Sequence, residues 1–250
     1  MQYGLCYLSV VPLRLEASDT SELVSQVLYG ECFKVLEQRK SWSRIRLSFD
    51  KYEGWVDNKQ FQLIEESAYN ELAKETPLLS TDLVDFISDI NNHLHPILLG
   101  SNLNGLRFLN HHFQGAKSKG QFKKSNIVNT SLLYLNSPYL WGGKTPFGID
   151  CSGFTQMVYK LNGFNILRDA SQQASQGDAL SFIEESSPGD LAFFDNSEGD
   201  ITHVGIIMKD HRIIHAHGKV RIDLLDHSGI YNVDTKNHSH KLRVIKRIVL

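Results

Sequence analysis

The hydrophobic pattern changes its period along the chain, and that change limits the folds open to it. From residue 1 to about 64, Val, Leu, Phe, Tyr and Trp alternate with charged residues in short runs: YLSVVPLRLEA, ELVSQVLYGECFKVLEQ, WSRIRLSF and YEGWVD. Alternation at period two gives each run one core face and one wet face, and Gly30 and Gly54 punctuate the runs. A small all-β barrel is expected over residues 1–64. From residue 125 to 250 the text is α+β. SNIVNTSLLYLNS predicts a helix capped by Ser125, with Ile127, Leu132, Leu133 and Leu135 on its apolar side. A Gly- and Pro-rich turn then leads through Asp150-Cys151-Ser152-Gly153 into a second helix carrying Phe154, Met157, Val158 and Leu161, with Gly163 at its expected stop. Three strand-like runs follow, DLAFFD, THVGIIM and RIIHAHG.

Residues 65–124 read less clearly. Leu72, Leu79, Leu83, Phe86 and Ile87 stand at roughly helical spacing, interrupted by Pro77, and strands and turns are expected around Gly100, Gly105, Gly115 and Gly120. An ordered linker and a second, degenerate barrel both fit. The pair His111-His112 raises a metal site, but adjacent side chains on a strand face opposite ways, so ordinary surface or core histidines are expected.

The charge balance, 26 basic against 28 acidic residues with a net charge of -2, argues against a nucleic-acid or anionic-membrane binder held by bulk charge. The first residues lack a basic stretch followed by an apolar block, and there is no apolar run of spanning length. A soluble, cytoplasmic protein is expected. Three cysteines cannot all be paired with one another, so at least one thiol is free. Cys6 and Cys32 read as small buried hydrophobes in strands rather than a disulfide.

Cys151 reads differently. A sulfur at a helix N-terminus meets unsatisfied N–H groups and the positive end of the dipole, which lower a thiol pKa and favour the nucleophilic thiolate. A nucleophile needs a base, and imidazole suits neutral pH. If Met208 pairs with Arg212 across a three-residue turn, opposite residues sum to 420, so His203 shares a face with His215 and His217. A two-residue turn would separate them. An odd turn is therefore required by a catalytic reading, with His203 as base and either His215 or His217 holding its ring. Zinc bound by His203, His215 and His217 is the rival reading, and the absence of a CxxC or an open-site carboxylate pattern argues against it.

Six motifs in order, PYLWGG, GIDCSGF, RDASQQ, GDLAFF, THVGI and IIHAHG, resemble the NlpC/P60 family of papain-like cysteine peptidases over about 125 residues. The first 60 residues, with Gly30-Glu31, Trp42 and Tyr52-Glu53-Gly54-Trp55, resemble a bacterial SH3-like (SH3b) domain. Together they resemble the SH3b-bearing γ-D-glutamyl-L-diamino acid endopeptidases that cut cell-wall stem peptides. The resemblance implies an antiparallel sheet with the nucleophile at the start of a packed helix, and no metal or organic cofactor. It makes Cys151 the nucleophile, His203 the base and His215, rather than His217, the orienting residue. It also implies substrate contacts from Tyr139, Asp150, Ser152, Arg168 and Asp169, and from Tyr52 and Glu22 or Glu31 on the barrel. Ala170 stands where many relatives have Ser, which removes that hydroxyl. The implied partner is a stem peptide, L-Ala-γ-D-Glu-L-diamino acid.

Overall fold

The computed structural model describes residues 1–249 and divides into two compact units. The first contains residues 1–120 together with 141–146, the second residues 121–140 and 147–250.

In the first unit, β1 (Gln2–Leu5), β2 (Val10–Arg14), β3 (Leu23–Leu28), β4 (Cys32–Gln38), β5 (Trp42–Leu47), β6 (Glu53–Asp57) and β7 (Gln62–Ile64) form one antiparallel sheet, ordered β3-β2-β6-β5-β4-β1-β7. The alternation seen in the sequence is the alternation of burial: in β5, Ser43, Ile45 and Leu47 are buried and Arg44 and Arg46 are exposed. Val11, Leu13, Val27, Phe33, Ile45 and Val56 fill the inside. Gly30 turns β3 into β4 at φ 75, where a Cβ would lie 1.7 Å from the Asn102 carbonyl oxygen, so only glycine fits. All three cysteines are free thiols. Cys32 opens β4 as expected, but Cys6 lies just beyond β1 rather than within a strand.

Residues 66–119 add α1 (Glu66–Lys74), β8 (Leu78–Ser80), β9 (Val84–Ser88), β10 (Leu94–Leu98), α2 (Leu106–Leu109) and β11 (Lys117–Lys119). The strands pair as two separate two-stranded sheets, β9 with β10 and β8 with β11. Tyr69, Leu72, Ile87, Ile97 and Leu103 share a core with Tyr3, Leu5 and Tyr29 of the barrel. The helical spacing therefore misleads beyond Leu72. Pro77 lacks an N–H and disfavours helix before it, so α1 stops at Lys74. Asp89 then accepts from the N–H groups of Asn91 and His93, with Asn92 at φ 63, and this turn folds β9 onto β10. Along β9, Phe86 is exposed while Ile87 is buried, as a strand requires. The α2 turn of helix stands where strands and turns were expected. Residues 141–146, including β12 (Lys144–Thr145), add to the barrel: the Lys144 N–H donates to Gln26 Oε1 at 2.7 Å and Trp141 Nε1–H to Glu22 Oε1 at 2.6 Å.

The second unit contains α3 (Asn126–Leu132), β13 (Gly148–Ile149), α4 (Cys151–Leu161), α5 (Ala170–Gln173), β14 (Asp178–Leu180), β15 (Leu191–Asp195), β16 (Ile201–Met208), β17 (Arg212–His217), β18 (Lys219–Leu225), β19 (Gly229–Asn232) and β20 (Asn237–Arg247). Its antiparallel sheet runs β14-β20-β15-β16-β17-β18-β19, and β20 pairs with β19 as well as β15. The 11-residue β20 is long enough to serve both, so β15 to β20 close on themselves.

Every residue of α4 is buried. Its C-terminus is a Schellman stop: Gly163 at φ 81 donates to the Lys160 carbonyl and Phe164 to that of Tyr159. Helix α3 departs from its expected face. Ile127 is buried, but Leu132, Leu133 and Leu135 are 41%, 49% and 41% exposed, and the buried positions are Thr130, Ser131 and Tyr134. The hydroxyls explain it, since Thr130 and Ser131 donate to the Asn126 and Val128 carbonyls of their own helix and so enter the core satisfied. Ser125 occupies the N-cap position without capping through its side chain. Among the described residues no helix is long and apolar enough to cross a membrane.

The β16–β17 hairpin pairs Met208 with Arg212 and Gly205 with His215, across a three-residue turn in which Asp210 and His211 take φ 57 and 54. A Cβ at Gly205 would lie 2.7 Å from Ile213 Cδ1 and 2.9 Å from His215 Cβ. Gly205→Ala is expected to cost about 1–3 kcal/mol by overpacking, measured as a lower denaturation midpoint at unchanged slope.

Candidate active site

Asp150 has extended backbone angles and caps α4, its Oδ1 accepting from the Gly153 N–H at 2.6 Å. Cys151 is therefore the first helical residue. Its sulfur lies between the backbone groups flanking His203: the Thr202 carbonyl oxygen is 4.0 Å away, and the Val204 N–H hydrogen-bonds the sulfur. His203 sits near the start of β16 and His215 on β17, and the hairpin register brings the rings together, His203 Nε2 to His215 Nδ1 at 2.8 Å. His217 lies farther from His203, with ring centroids 6.4 Å apart against 5.0 Å for His215. The structure thus separates two residues that spacing leaves open.

The register argument, stopped at the first hairpin, misses two neighbours. His215 Nε2 meets Asp223 Oδ2 at 2.9 Å, and Asp223 is held by Arg221, Nε to Oδ2 at 2.6 Å and Nη2 to Oδ1 at 2.9 Å. Carrying the parity through the tight turn at Gly218 would have found it, because His215 pairs with Arg221 and Asp223 lies two residues on, on the same face. The other neighbour is His240 of β20, stacked on His203 with centroids 4.1 Å apart and an interplanar angle of 23°. Register shifts along both edges of β20 leave no simple sequence signal for that placement. His240 and Thr202 also border a cavity of about 510 Å³. Among the described residues no cluster of His, Cys, Asp and Glu has the arrangement of a metal site.

Burial decides the protonation of the pair. It lowers His203 well below the ordinary imidazole value, with the neighbouring His215, His240 and His217 acting in the same direction. It raises the Cys151 thiol to about 12, helped by the Asp150 charge and opposed by the Val204 and Ser152 N–H groups and by Arg168. The expected lowering by the helix start is outweighed, because a 6% exposed sulfur loses more from desolvation than a few N–H groups return. Both groups are therefore neutral at pH 7.

Arg168, fully buried, grips Asp150 bidentately, Nη1 to Oδ1 at 3.0 Å and Nη2 to Oδ2 at 2.6 Å, and donates to Ser152 Oγ at 2.9 Å. Asp150, Ser152 and Arg168 are thus brought together beneath the helix start. Tyr139, 37% exposed, has its hydroxyl raised to about 12 by burial and by the charges of Cys151 and Asp150. Asp169 caps α5 in a reciprocal box with Gln172. In the first unit, Glu22 accepts from Trp141, Tyr52 packs half-buried against the barrel core, and Glu31 is buried with Oε2 accepting from the Leu28 N–H. His111 Nδ1 is 3.0 Å from the Tyr29 hydroxyl, and its ring stacks on His95.

Residues 136–239 match the NlpC/P60 family, and residues 13–61 match the bacterial dipeptidyl-peptidase SH3 domain. The chain is 28% identical over 233 residues to the γ-D-glutamyl-L-lysine dipeptidyl-peptidase of Bacillus cereus, covering 81% of this chain and 70% of that protein. It is 27% identical over 227 residues to the Bacillus subtilis protein of that name, covering 81% and 75%. A solved NlpC/P60 family protein from Bacillus cereus superposes with a TM-score of 0.79 at 18% identity, over 99% of this chain and all of that one, a likeness of fold. A thiol at a helix start beside a histidine pair, in such company, defines a cysteine peptidase. The chain carries an NlpC/P60 domain with a bacterial SH3 domain ahead of it.

Two outcomes follow from the buried groups. Alkylation of Cys151 by iodoacetamide, read by peptide mass spectrometry, is expected to quicken about tenfold per pH unit between roughly pH 7 and 9, since a raised thiol pKa leaves little thiolate at neutrality. A rate already at its plateau at pH 6 would show a thiolate–imidazolium pair instead. Arg168→Met leaves the Asp150 carboxylate buried without its cation and is expected to cost about 3–5 kcal/mol in chemical denaturation.

Proposed function

We propose that the chain hydrolyses the γ-D-glutamyl-L-diamino acid bond of short cell-wall stem peptides, with Lys or diaminopimelate as the diamino acid and a free N-terminal L-Ala. The observation that carries the reading is the Cys151 sulfur held between the backbone groups on either side of His203, whose ring is tied to His215. The names of the two Bacillus relatives support the bond and the dipeptidyl mode.

Cys151 attacks the γ-carbonyl carbon of D-Glu while His203 Nδ1 takes the thiol proton. Backbone N–H groups at the start of α4 hold the oxyanion, and a helix N-terminus is suited to that charge. His203 returns its proton to the leaving amine, the C–N bond breaks, and a thioester remains. Water, deprotonated by His203, attacks the thioester and releases L-Ala-D-Glu and the thiol. Tyr139 and Ser152 flank the nucleophile as substrate contacts. Asp150, Arg168 and Asp169 hold that wall in shape. A dipeptidyl enzyme counts from a free amine, which suits small muropeptides and recycling in the cytoplasm.

Mass spectrometry of products from L-Ala-γ-D-Glu-L-Lys, its diaminopimelate analogue and their N-acetylated forms tests the proposal. The expected products from the free-amine peptides are L-Ala-D-Glu and the diamino acid, with the acetylated forms cut at least tenfold more slowly and Cys151→Ala slower by about 10³-fold or more. Cleavage between L-Ala and D-Glu would overturn the proposed bond, and a requirement for a muramyl group would instead assign an N-acetylmuramoyl-L-alanine amidase or an acyltransferase of the same fold. Parent-like activity in Cys151→Ala would overturn the mechanism, and a parent that cuts none of these peptides would leave a cell-wall binding module.

A further inference from the structure

We propose that Asp223 is a positioning residue whose carboxylate fixes the tautomers of both histidines and so makes His203 Nδ1 the proton acceptor for Cys151. The proposal rests on the hydrolytic reading above for its catalytic consequence, but its structural content stands without a substrate.

Four donor groups surround the Asp223 carboxylate: His215 Nε2 and Arg221 Nε at Oδ2, and Arg221 Nη2 and the Val233 N–H at Oδ1. The group is fully buried, and the Arg221 guanidinium beside it is in turn paired with Asp234 at 2.9 Å and Asn232 at 3.2 Å. Burial alone would raise the Asp223 carboxyl; its hydrogen bonds from His215, Arg221 and Val233 outweigh that and hold it far below the usual range. An ionised carboxylate only accepts. His215 Nε2 must therefore carry hydrogen.

In a neutral imidazole one nitrogen with hydrogen leaves the other with a lone pair, so His215 Nδ1 accepts. The atom opposite it at 2.8 Å is His203 Nε2, which must donate. By the same rule His203 Nδ1 is left with the lone pair. A charge set two rings away thus leaves a lone pair at the one His203 nitrogen that His215 does not occupy. The relay crosses three adjacent strands, β16, β17 and β18, at right angles to their direction. Burial keeps both rings neutral and makes the alternation binding, since neither can satisfy its neighbours by taking a second proton at pH 7.

Asp223→Asn is the discriminating change. An asparagine has one oxygen and one amide nitrogen to place at the two oxygen positions. With the nitrogen at Oδ1 it would face two fixed donors, Arg221 Nη2 and the Val233 N–H. With the nitrogen at Oδ2 it faces Arg221 Nε and His215, and only a histidine can exchange donor for acceptor. The amide therefore turns its nitrogen to His215, which becomes an acceptor at Nε2 and a donor at Nδ1. His203 then accepts at Nε2 and carries hydrogen at Nδ1. The whole relay reverses, and the nitrogen that should take the thiol proton already bears one.

Long-range ¹H–¹⁵N correlation spectra at pH 7 report the tautomers directly. In the parent, His203 and His215 are expected in the Nε2–H form; in Asp223→Asn, both in the Nδ1–H form. On the tripeptide the variant is expected to lose about 10³-fold or more in kcat with KM within about threefold, since the substrate-facing groups are untouched. Asp223→Glu, which keeps an acceptor-only group, should retain the Nε2–H spectrum. A parent spectrum with His215 in the Nδ1–H form overturns the proposal, even where the asparagine variant fails to fold. A folded Asp223→Asn protein with unchanged tautomers, or with parent-like kcat, overturns it equally. A parent inactive on γ-glutamyl peptides counts against the proposed substrate, and the tautomer spectra still decide the role of Asp223.

Discussion

The second unit is organised around one buried carboxylate. Asp150 Oδ1 accepts from the Gly153 N–H and from Arg168, and Oδ2 from the other arm of that guanidinium. This grouping starts α4, and the start of α4 fixes where Cys151 points. An aspartate cap is worth about 1 kcal/mol on a surface helix, but here its removal would also take the carboxylate from the buried Arg168 guanidinium, at a far higher cost. The interaction is thus structural and chemical together: it sets the helix origin and maintains a negative charge beside the thiol. That charge opposes thiolate formation while the Arg168 guanidinium favours it, and burial outweighs both.

How much of this was legible in the sequence depends on range. Period-two alternation declares the barrel strands because each residue needs only its neighbours two positions away. That His203 shares a face with His215 and His217 follows from the same arithmetic only if the turn is odd, and the choice of His215 over His217 comes from the structure. Asp223 lay a second turn farther along, within reach of the same arithmetic. His240 arrives on a strand with bulges against both partners, and no count along the chain predicts its stacking on His203.

Leu132, Leu133 and Leu135 look like a core stripe, yet Thr130 and Ser131 take the inner face because their hydroxyls are satisfied within the helix. The Cys151 thiol is raised where the helix start predicts a lowering, because a helix dipole is visible in a sequence while the depth of a sulfur is not. From Leu79 to Ile87 the spacing suggests a helix, but one proline and one Asp-Asn turn are enough to select a hairpin. Local hydrogen-bonding chemistry at a few polar residues overrode the apolar pattern in α3 and in the β9–β10 hairpin, and burial overrode the helix start at Cys151.

Residues 141–146 belong to the first unit although the chain on both sides of them belongs to the second. During synthesis, the barrel therefore emerges lacking a piece of itself, and Gln26 acquires its Lys144 partner only after 118 further residues have been made. The same threading defeats simple dissection. A fragment cut after residue 120 loses the strip that carries Trp141 and Lys144, and one beginning at 121 keeps that strip without the surface it covers. The protein has two compact bodies but no single point at which its sequence divides into them.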